Sequence, residues 1–464
     1  MRPRLVPEGE CPRMLDKDNL KILLESLEKL DNGFAALPEF GAQVPGNQGV
    51  AEILAATAER LQDNFPYFHP LYAGQMLKPP HPVARLAYAL AQWINPNNHA
   101  LDGGRATSAM EKEAVAGIAE MFGWREHLGH LCGGGTMANL EALWVAGRLA
   151  PGKKILASEQ AHYTHGRISG VLQLPFAPVP CDARGRMDLG KLRELVAPGD
   201  VGAVVATMGT TATGSVDPLA EILDLRERYG FRVHADAAYG GYFGLAGNLD
   251  KDARRGFDLL HLVDSIVLDP HKHGLQPYGC GCVLFRDPSV GTLYKHDSPA
   301  TYFSSREQHL GEISLECSRP GASAAALWAT QKLLPLTKGG EFACGLEDCR
   351  AAALDFHSRL ESDARFLTAF PPELDIVVFA PRARSVSESS ETSRKIFEAA
   401  ARRNLHLAVA ELPTEFFEAN LGEMKKDRTS LTCLRSVLMK PEHKEWLPRI
   451  WEILDEATEF VRKG

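Results

Sequence analysis

The run Ser265-Ile266-Val267-Leu268-Asp269-Pro270-His271-Lys272-His273-Gly274 decides how the chain is read. An apolar, β-branched stretch stops at Pro270, and a lysine follows in a glycine-containing turn between two histidines. Upstream, Val233-His234-Ala235-Asp236-Ala237-Ala238-Tyr239-Gly240-Gly241 ends a short strand on an aspartate in the same way. Further short apolar runs at Ile155–Ala157, Ala203–Met208, Phe231–His234 and Val283–Phe285 alternate with helical patterns such as Met110–Phe122, Met137–Leu149 and Pro218–Tyr229. Strand–helix alternation predicts an α/β fold with a mostly parallel sheet. Ligands of such sheets collect at the carboxyl ends of the strands, where Asp236 and Lys272 fall.

Working outward, 464 residues exceed one small core. The pattern divides into an N-terminal helical segment (1–75), a large domain (76–335) and a small α+β domain (336–464). In the first segment Leu20, Ile22, Leu23, Leu27 and Leu30 recur at helical spacing, as do Ile53, Leu54, Ala58 and Leu61. In the last, helix Glu347–Leu360, strand Ile376–Ala380, a serine-rich loop Ser385–Ser393, and helices Ser393–Arg403 and Glu445–Val461 are expected. A net charge of -8 leaves no electrostatic footprint for nucleic acid or an anionic membrane. The start of the chain shows no apolar signal-peptide core, and no stretch nears the ~18 apolar residues of a membrane span. Nine scattered cysteines fit reduced thiols in a cytoplasm. Cys280-Gly281-Cys282 could be half a metal site, but its apolar setting favours small buried residues, and no metal is expected.

Four pieces bear on chemistry. Cys132-Gly133-Gly134-Gly135-Thr136 runs into a helix, so backbone N–H groups, the helix dipole and a hydroxyl can meet an oxyanion. Alone, three glycines are often only a tight turn. In Ala161-His162-Tyr163-Thr164-His165, an imidazole can stack on an aromatic ring and donate to a carboxylate; His162-x-x-His165 could instead be half a metal site. Asp236 can hold a pyridine nitrogen protonated, and Ala238, pointing the same way in an extended segment, lets a ring lie against it. An aspartate here could equally be a turn former. Lys272 can form a Schiff base, although most lysines are simply exposed. A lysine for the aldehyde and a carboxylate for the ring nitrogen are what pyridoxal phosphate requires of a protein.

Taken together and in order, these pieces resemble the group II pyridoxal-phosphate-dependent amino-acid decarboxylases. The resemblance covers about His69 to Leu336 and rests on His69-Pro70 with Pro79-Pro80-His81-Pro82, Gly134-Gly135-Thr136-x-Ala138-Asn139, Ala161-His162-Tyr163, Gly209-Thr210-Thr211, His234-x-Asp236-Ala237-Ala238-Tyr239 and Asp269-Pro270-His271-Lys272. Leu315 to Ala322 is most similar to the archaeal tyrosine/aspartate branch. It implies the aspartate-aminotransferase fold (fold type I) and a homodimer with shared sites. Lys272 then looks like the Schiff-base lysine, Asp236 the ring-nitrogen partner and His162 the stacking histidine. Gly135 and Thr136 look like phosphate ligands, Ala238 the opposite ring wall, Thr211 a neighbour of the ring hydroxyl, and His271 a neighbour of phosphate and lysine.

The implied reaction is α-decarboxylation of an aromatic or acidic L-amino acid to the amine and CO₂. The polar stretch Lys295–Leu310 resembles the family's mobile catalytic loop, and Tyr302 falls where those enzymes keep a protonating tyrosine; packing under the loop is its alternative role. Arg435 could receive a carboxylate or form a structural ion pair. Transamination, carbon–carbon lysis or aldehyde synthesis on the same scaffold, and a catalytically silent binding scaffold, are the competing readings.

Overall fold

A computed structural model describes residues 17–38, 47–295 and 309–463. The chain divides into two compact units, Met1–Phe68 and His69–Gly464. In the first unit, helices α1 (Lys17–Asn32) and α2 (Asn47–Leu61) contain no buried residue. Leu20, Ile22, Leu24, Ile53, Leu54 and Leu61 stand exposed, while Leu23, Leu27 and Leu30 are half-buried.

The second unit contains α3 (Pro82–Gln92), α4 (Leu101–Met121, kinked at Gly104), α5 (Gly135–Leu149) and α6 (Thr164–Val171). Its main sheet comprises β1 (Leu128–Cys132), β2 (Lys154–Ser158), β3 (Phe176–Val179), β4 (Val201–Thr207), β5 (Arg232–Asp236), β6 (Ser265–Leu268) and β7 (Gly281–Phe285), ordered β1-β7-β6-β5-β4-β2-β3. The pairs β2/β3, β2/β4, β4/β5 and β5/β6 are parallel, and only β7 runs against its neighbours. Every residue of β4 is buried, as expected of a strand covered on both faces. Its β-branched and small residues fit that doubly packed position.

A second, antiparallel sheet is built from β8 (Phe366–Thr368), β9 (Ile376–Pro381), β10 (Ala408–Pro413) and β11 (Ser430–Val437), ordered β10-β11-β9-β8. Helices Glu341–Ser362, Val386–Ala401 and His443–Lys463 pack with it. Here the serine-rich loop expected at Ser385–Ser393 is corrected: Ser385 caps a helix that starts at Val386, its side chain accepting from the Glu388 N–H. Ser389 and Ser390 are buried, donating to the carbonyls of Pro381 (2.6 Å) and Val386 (2.8 Å). Serine-x-x-glutamate before an apolar stripe is a helix-start signal, and it outweighed the loop-like composition.

Cys280 and Cys282 are buried. Gly281 between them has a packing reason to be glycine: a Cβ there would lie 2.5 Å from Gly134 Cα. No cluster of metal-ligating side chains occurs among the described residues. Nor is any described helix long and apolar enough to cross a membrane.

Candidate active site

A cavity of about 550 Å³ opens where β1, β2, β4, β5 and β6 end. Gly135, Thr136, His162, Thr211, Asp236, Ala238, His271 and Lys272 all line it. These eight come from five separate segments at or just after strand ends, and the parallel register brings them together: Asp236 pairs with Thr207 on one side and Val267 on the other. Tyr302 lies outside the described residues.

The glycine loop leaves β1 and enters α5. Gly134 has φ 148°, a backbone state that side-chain-bearing residues rarely adopt. A Cβ on Gly135 would lie 2.8 Å from Asp269 Oδ2. The helix start therefore sits directly against the Asp269–Lys272 turn, its first N–H groups free of intrahelical partners.

Lys272 Nζ lies 2.9 Å from Asp269 Oδ2, and His271 Nε2 lies 3.5 Å from the same oxygen. Asp269 Oδ1 and His271 Nδ1 are buried without a hydrogen-bond partner. The His271 ring stacks on Tyr278, centroids 4.6 Å apart. Burial lowers the His271 pKa, against the opposing pull of Asp269.

Asp236 is the electrostatic centre of the far wall. Its Oδ2 is 2.8 Å from His165 Nε2 and 3.4 Å from Asn139 Nδ2, while Oδ1 accepts from the Ala238 N–H at 3.2 Å. Burial alone would raise its pKa; the His165 hydrogen bond, with the nearby Lys272 amine, outweighs that and holds the carboxyl well below the usual range. Asp236 therefore remains a carboxylate in a nearly water-free setting.

His162 accepts from the Thr164 N–H (3.4 Å) at Nδ1, which also lies 2.8 Å from Thr164 Oγ1. The ring proton consequently belongs on Nε2. Burial lowers the His162 pKa further than Asp236 raises it, so the neutral ring is favoured.

Arg435 serves neither role left open by the sequence. Its Nη1, Nη2 and Nε donate to the carbonyls of Gly74 (2.9 Å), Thr211 (2.7 Å) and Ala212 (3.1 Å). It fixes the loop that carries Thr211. Sequence reasoning also missed Asp375, a wholly buried residue preceding β9. Its Oδ1 accepts from the Tyr239 hydroxyl at 2.5 Å, and Oδ2 lies 3.1 Å from His273 Nε2. Burial pushes Asp375 up, but His273 and the Tyr239 hydroxyl outweigh it and hold the carboxyl low. Asp375 thus ties the segments after Asp236 and after Lys272 to the second sheet.

The donor set fits pyridoxal phosphate. A glycine-led helix start with a threonine hydroxyl suits a phosphate, a buried carboxylate suits a protonated ring nitrogen, and an amine in the same cavity suits the aldehyde. The buried, unpartnered His271 Nδ1 leaves a polar atom for a bound group to satisfy.

Comparison with known proteins agrees. The family described as "Pyridoxal-dependent decarboxylase conserved domain" matches residues 140–382. The "Probable L-tyrosine/L-aspartate decarboxylase" of Methanothermobacter thermautotrophicus is 32% identical over 262 residues, 56% of this chain and 70% of that protein. The protein of the same name from Methanopyrus kandleri is 29% identical over 328 residues, 68% and 84% of the two chains. Among solved structures, Oryza sativa TDC with PLP and tryptamine superposes with a TM-score of 0.74 at 18% identity, over 97% of this chain and 99% of that one, a likeness of fold. With a matched stretch spanning just over half its length and covering every cavity segment after the glycine loop, the chain belongs to the pyridoxal-dependent decarboxylases, and pyridoxal phosphate is its coenzyme.

Proposed function

We propose that the enzyme removes the α-carboxyl group of an L-amino acid, aromatic like tyrosine or acidic like aspartate or glutamate, giving the amine and CO₂. The observation that carries this reading is the meeting of Lys272, Asp236, His162 and the Gly135–Thr136 helix start in one cavity at the strand ends. The names of the archaeal relatives support the substrate class.

Bound pyridoxal phosphate supplies an electron-withdrawing ring that loosens the bonds at the substrate's Cα. Lys272 would hold the coenzyme's carbonyl carbon, and Asp269, 2.9 Å from Nζ, orients the amine toward it. Asp236 faces the ring nitrogen. Gly135 and Thr136 would hold the phosphate with His271 nearby, Ala238 would form one ring wall, and Thr211 would stand near the ring hydroxyl. His162 would cover the other ring face, and its Nε2–H, fixed by the two contacts at Nδ1, would orient the substrate carboxylate. Holding that carboxylate across the ring plane selects which bond breaks. Tyr302 delivers the proton to Cα afterwards.

The working form is a cytoplasmic homodimer. The apolar residues left exposed on α1 and α2 support association, and the eight described cysteines, all free thiols, suit a reducing compartment. A fully active monomer in sedimentation at assay concentration would contradict the dimer. The test of function is a panel of L-amino acids incubated with coenzyme-loaded protein. CO₂ and amine in equal amounts from a tyrosine-like or acidic member are expected; a keto acid, or an aldehyde without net amine, would mean another reaction on this scaffold.

A further inference from the structure

His165 is absent from the roles assigned above, yet it makes the shortest contact to Asp236. It is the second residue of α6, and its ring is buried. Nε2 lies 2.8 Å from Asp236 Oδ2. Nδ1 is buried with no hydrogen-bond partner. A proton on Nδ1 would therefore be a buried, unpaired donor, which is costly. The ring's one shared proton is the one on Nε2, donated to Asp236. A neutral donor of this kind stabilises the ionised carboxylate without neutralising it.

A second chain of side chains points the same way. As Asn139 is oriented, Nδ2 faces Asp236 Oδ2 at 3.4 Å and Oδ1 lies 2.8 Å from His234 Nε2. His234 Nε2 must then carry the proton, leaving Nδ1 to accept from Ser265 Oγ at 2.8 Å. Burial drives the His234 pKa down to about 3, so this ring is uncharged. The titratable groups around the Asp236 carboxylate are thus His165 from α6, His234 from β5, His162 from the loop before α6, and Lys272 and Asp269 from the turn after β6. Of these, His165 alone among the described residues hydrogen-bonds the carboxylate through a titratable side chain.

We propose that His165 is a positioning residue that keeps Asp236 ionised and aimed into the cavity, and so sets the protonation of the coenzyme's ring nitrogen. This rests on Asp236 being the ring-nitrogen partner. If His165 works through that nitrogen, its effect must vanish for a ligand lacking it.

The experiment measures the affinity of apoprotein for pyridoxal phosphate and for its 1-deaza analogue, in which a C–H replaces the ring nitrogen. Wild type, His165→Leu and His165→Gln are compared. The leucine variant should bind pyridoxal phosphate at least tenfold more weakly and shift the pH titration of the bound coenzyme's absorbance, while its affinity for the analogue stays within twofold of wild type. The glutamine variant, whose amide N–H can reach the place of Nε2, should recover most of the loss. Equal weakening for both ligands would make His165 merely structural, and unchanged affinity for pyridoxal phosphate would make it irrelevant; either overturns the proposal. If the leucine variant does not fold, His165→Asn, whose amide stops short of the carboxylate, makes the same comparison. Asp236→Asn separates the two levels. Should it fail to discriminate between the ligands, the reading of Asp236 falls; should it discriminate while His165→Leu does not, only the role of His165 falls.

Discussion

The front of the cavity and the wall behind it are built on different principles. In front, Lys272, His162 and Thr211 sit on loops at strand ends and Thr136 in the first turn of α5, partly open to the cavity, with few protein partners. Behind, His165, Asn139, His234, Asp375 and Arg435 are buried, and each commits at least one polar atom to another protein group. Front residues keep their hydrogen-bonding capacity for the coenzyme and substrate, so replacing them should remove chemistry and leave the fold. Wall residues hold the front in place, so replacing them should cost stability first and activity through it.

The largest expected effect is at the front. Lys272→Ala should lower turnover by on the order of 10⁴-fold, the upper end for one positioned acid–base group, with the melting temperature little changed. A melting temperature that collapsed together with activity would break the distinction between the two regions. Tyr302→Phe should reduce amine formation by about 10²-fold to 10⁴-fold while CO₂ release continues, with aldehyde and ammonia appearing in the presence of oxygen. Unchanged amine production would leave Tyr302 as a packing residue. Asp236→Asn, at the boundary between front and wall, should still fill with coenzyme when it is supplied in excess, though with weakened affinity, and lose roughly 10²-fold to 10³-fold in kcat, the scale of one lost electrostatic contact. Near-normal turnover would mean another group tunes the ring.

At the wall, Asp375→Ala removes the acceptor of the buried Tyr239 hydroxyl and the partner of His273. It should destabilise the protein by about 3–5 kcal/mol, as for other broken buried pairs, measured by denaturant unfolding. Loss of activity with full stability would transfer Asp375 to the front.

The smallest effect concerns pH and lies farther from the cavity. Asp217 accepts from the N–H groups of Met187 (2.7 Å) and Thr207 (2.8 Å), and burial pushes its pKa up to about 7. A carboxyl with a raised folded pKa favours the fold when protonated and loses that contribution as pH rises from its unfolded value through about 7. The melting-temperature gap between wild type and Asp217→Asn should therefore narrow by a few degrees from pH 5 to pH 8; a widening gap would contradict the sign.

The same division explains what the sequence made legible. Residues that meet the coenzyme must be particular chemical types at strand ends, so short motifs such as Asp269-Pro270-His271-Lys272 and Gly134-Gly135-Thr136 expose them, along with the alternation of a mostly parallel sheet. The wall is tertiary. Asp375 reaches Tyr239 and His273 across more than a hundred residues of chain, and no local pattern announces it. His165 was visible only as His162-x-x-His165, a spacing that suits a metal as well as it suits one ring turned to the cavity and the other to a carboxylate. For Arg435 the sequence suggests a carboxylate ligand or an ion-pair partner, because nothing in its neighbourhood reveals that three carbonyls take its donors. In Ser385–Ser393 a polar composition hides a helix whose Ser389, Ser390 and Ser393 lie buried.

The most direct test of the account is to reduce the coenzyme-loaded protein with borohydride and map the phosphopyridoxyl group by peptide mass spectrometry. The account predicts one label per chain, on Lys272. A label on another lysine, such as the buried Lys440, or no label under conditions where the coenzyme is bound, would contradict it.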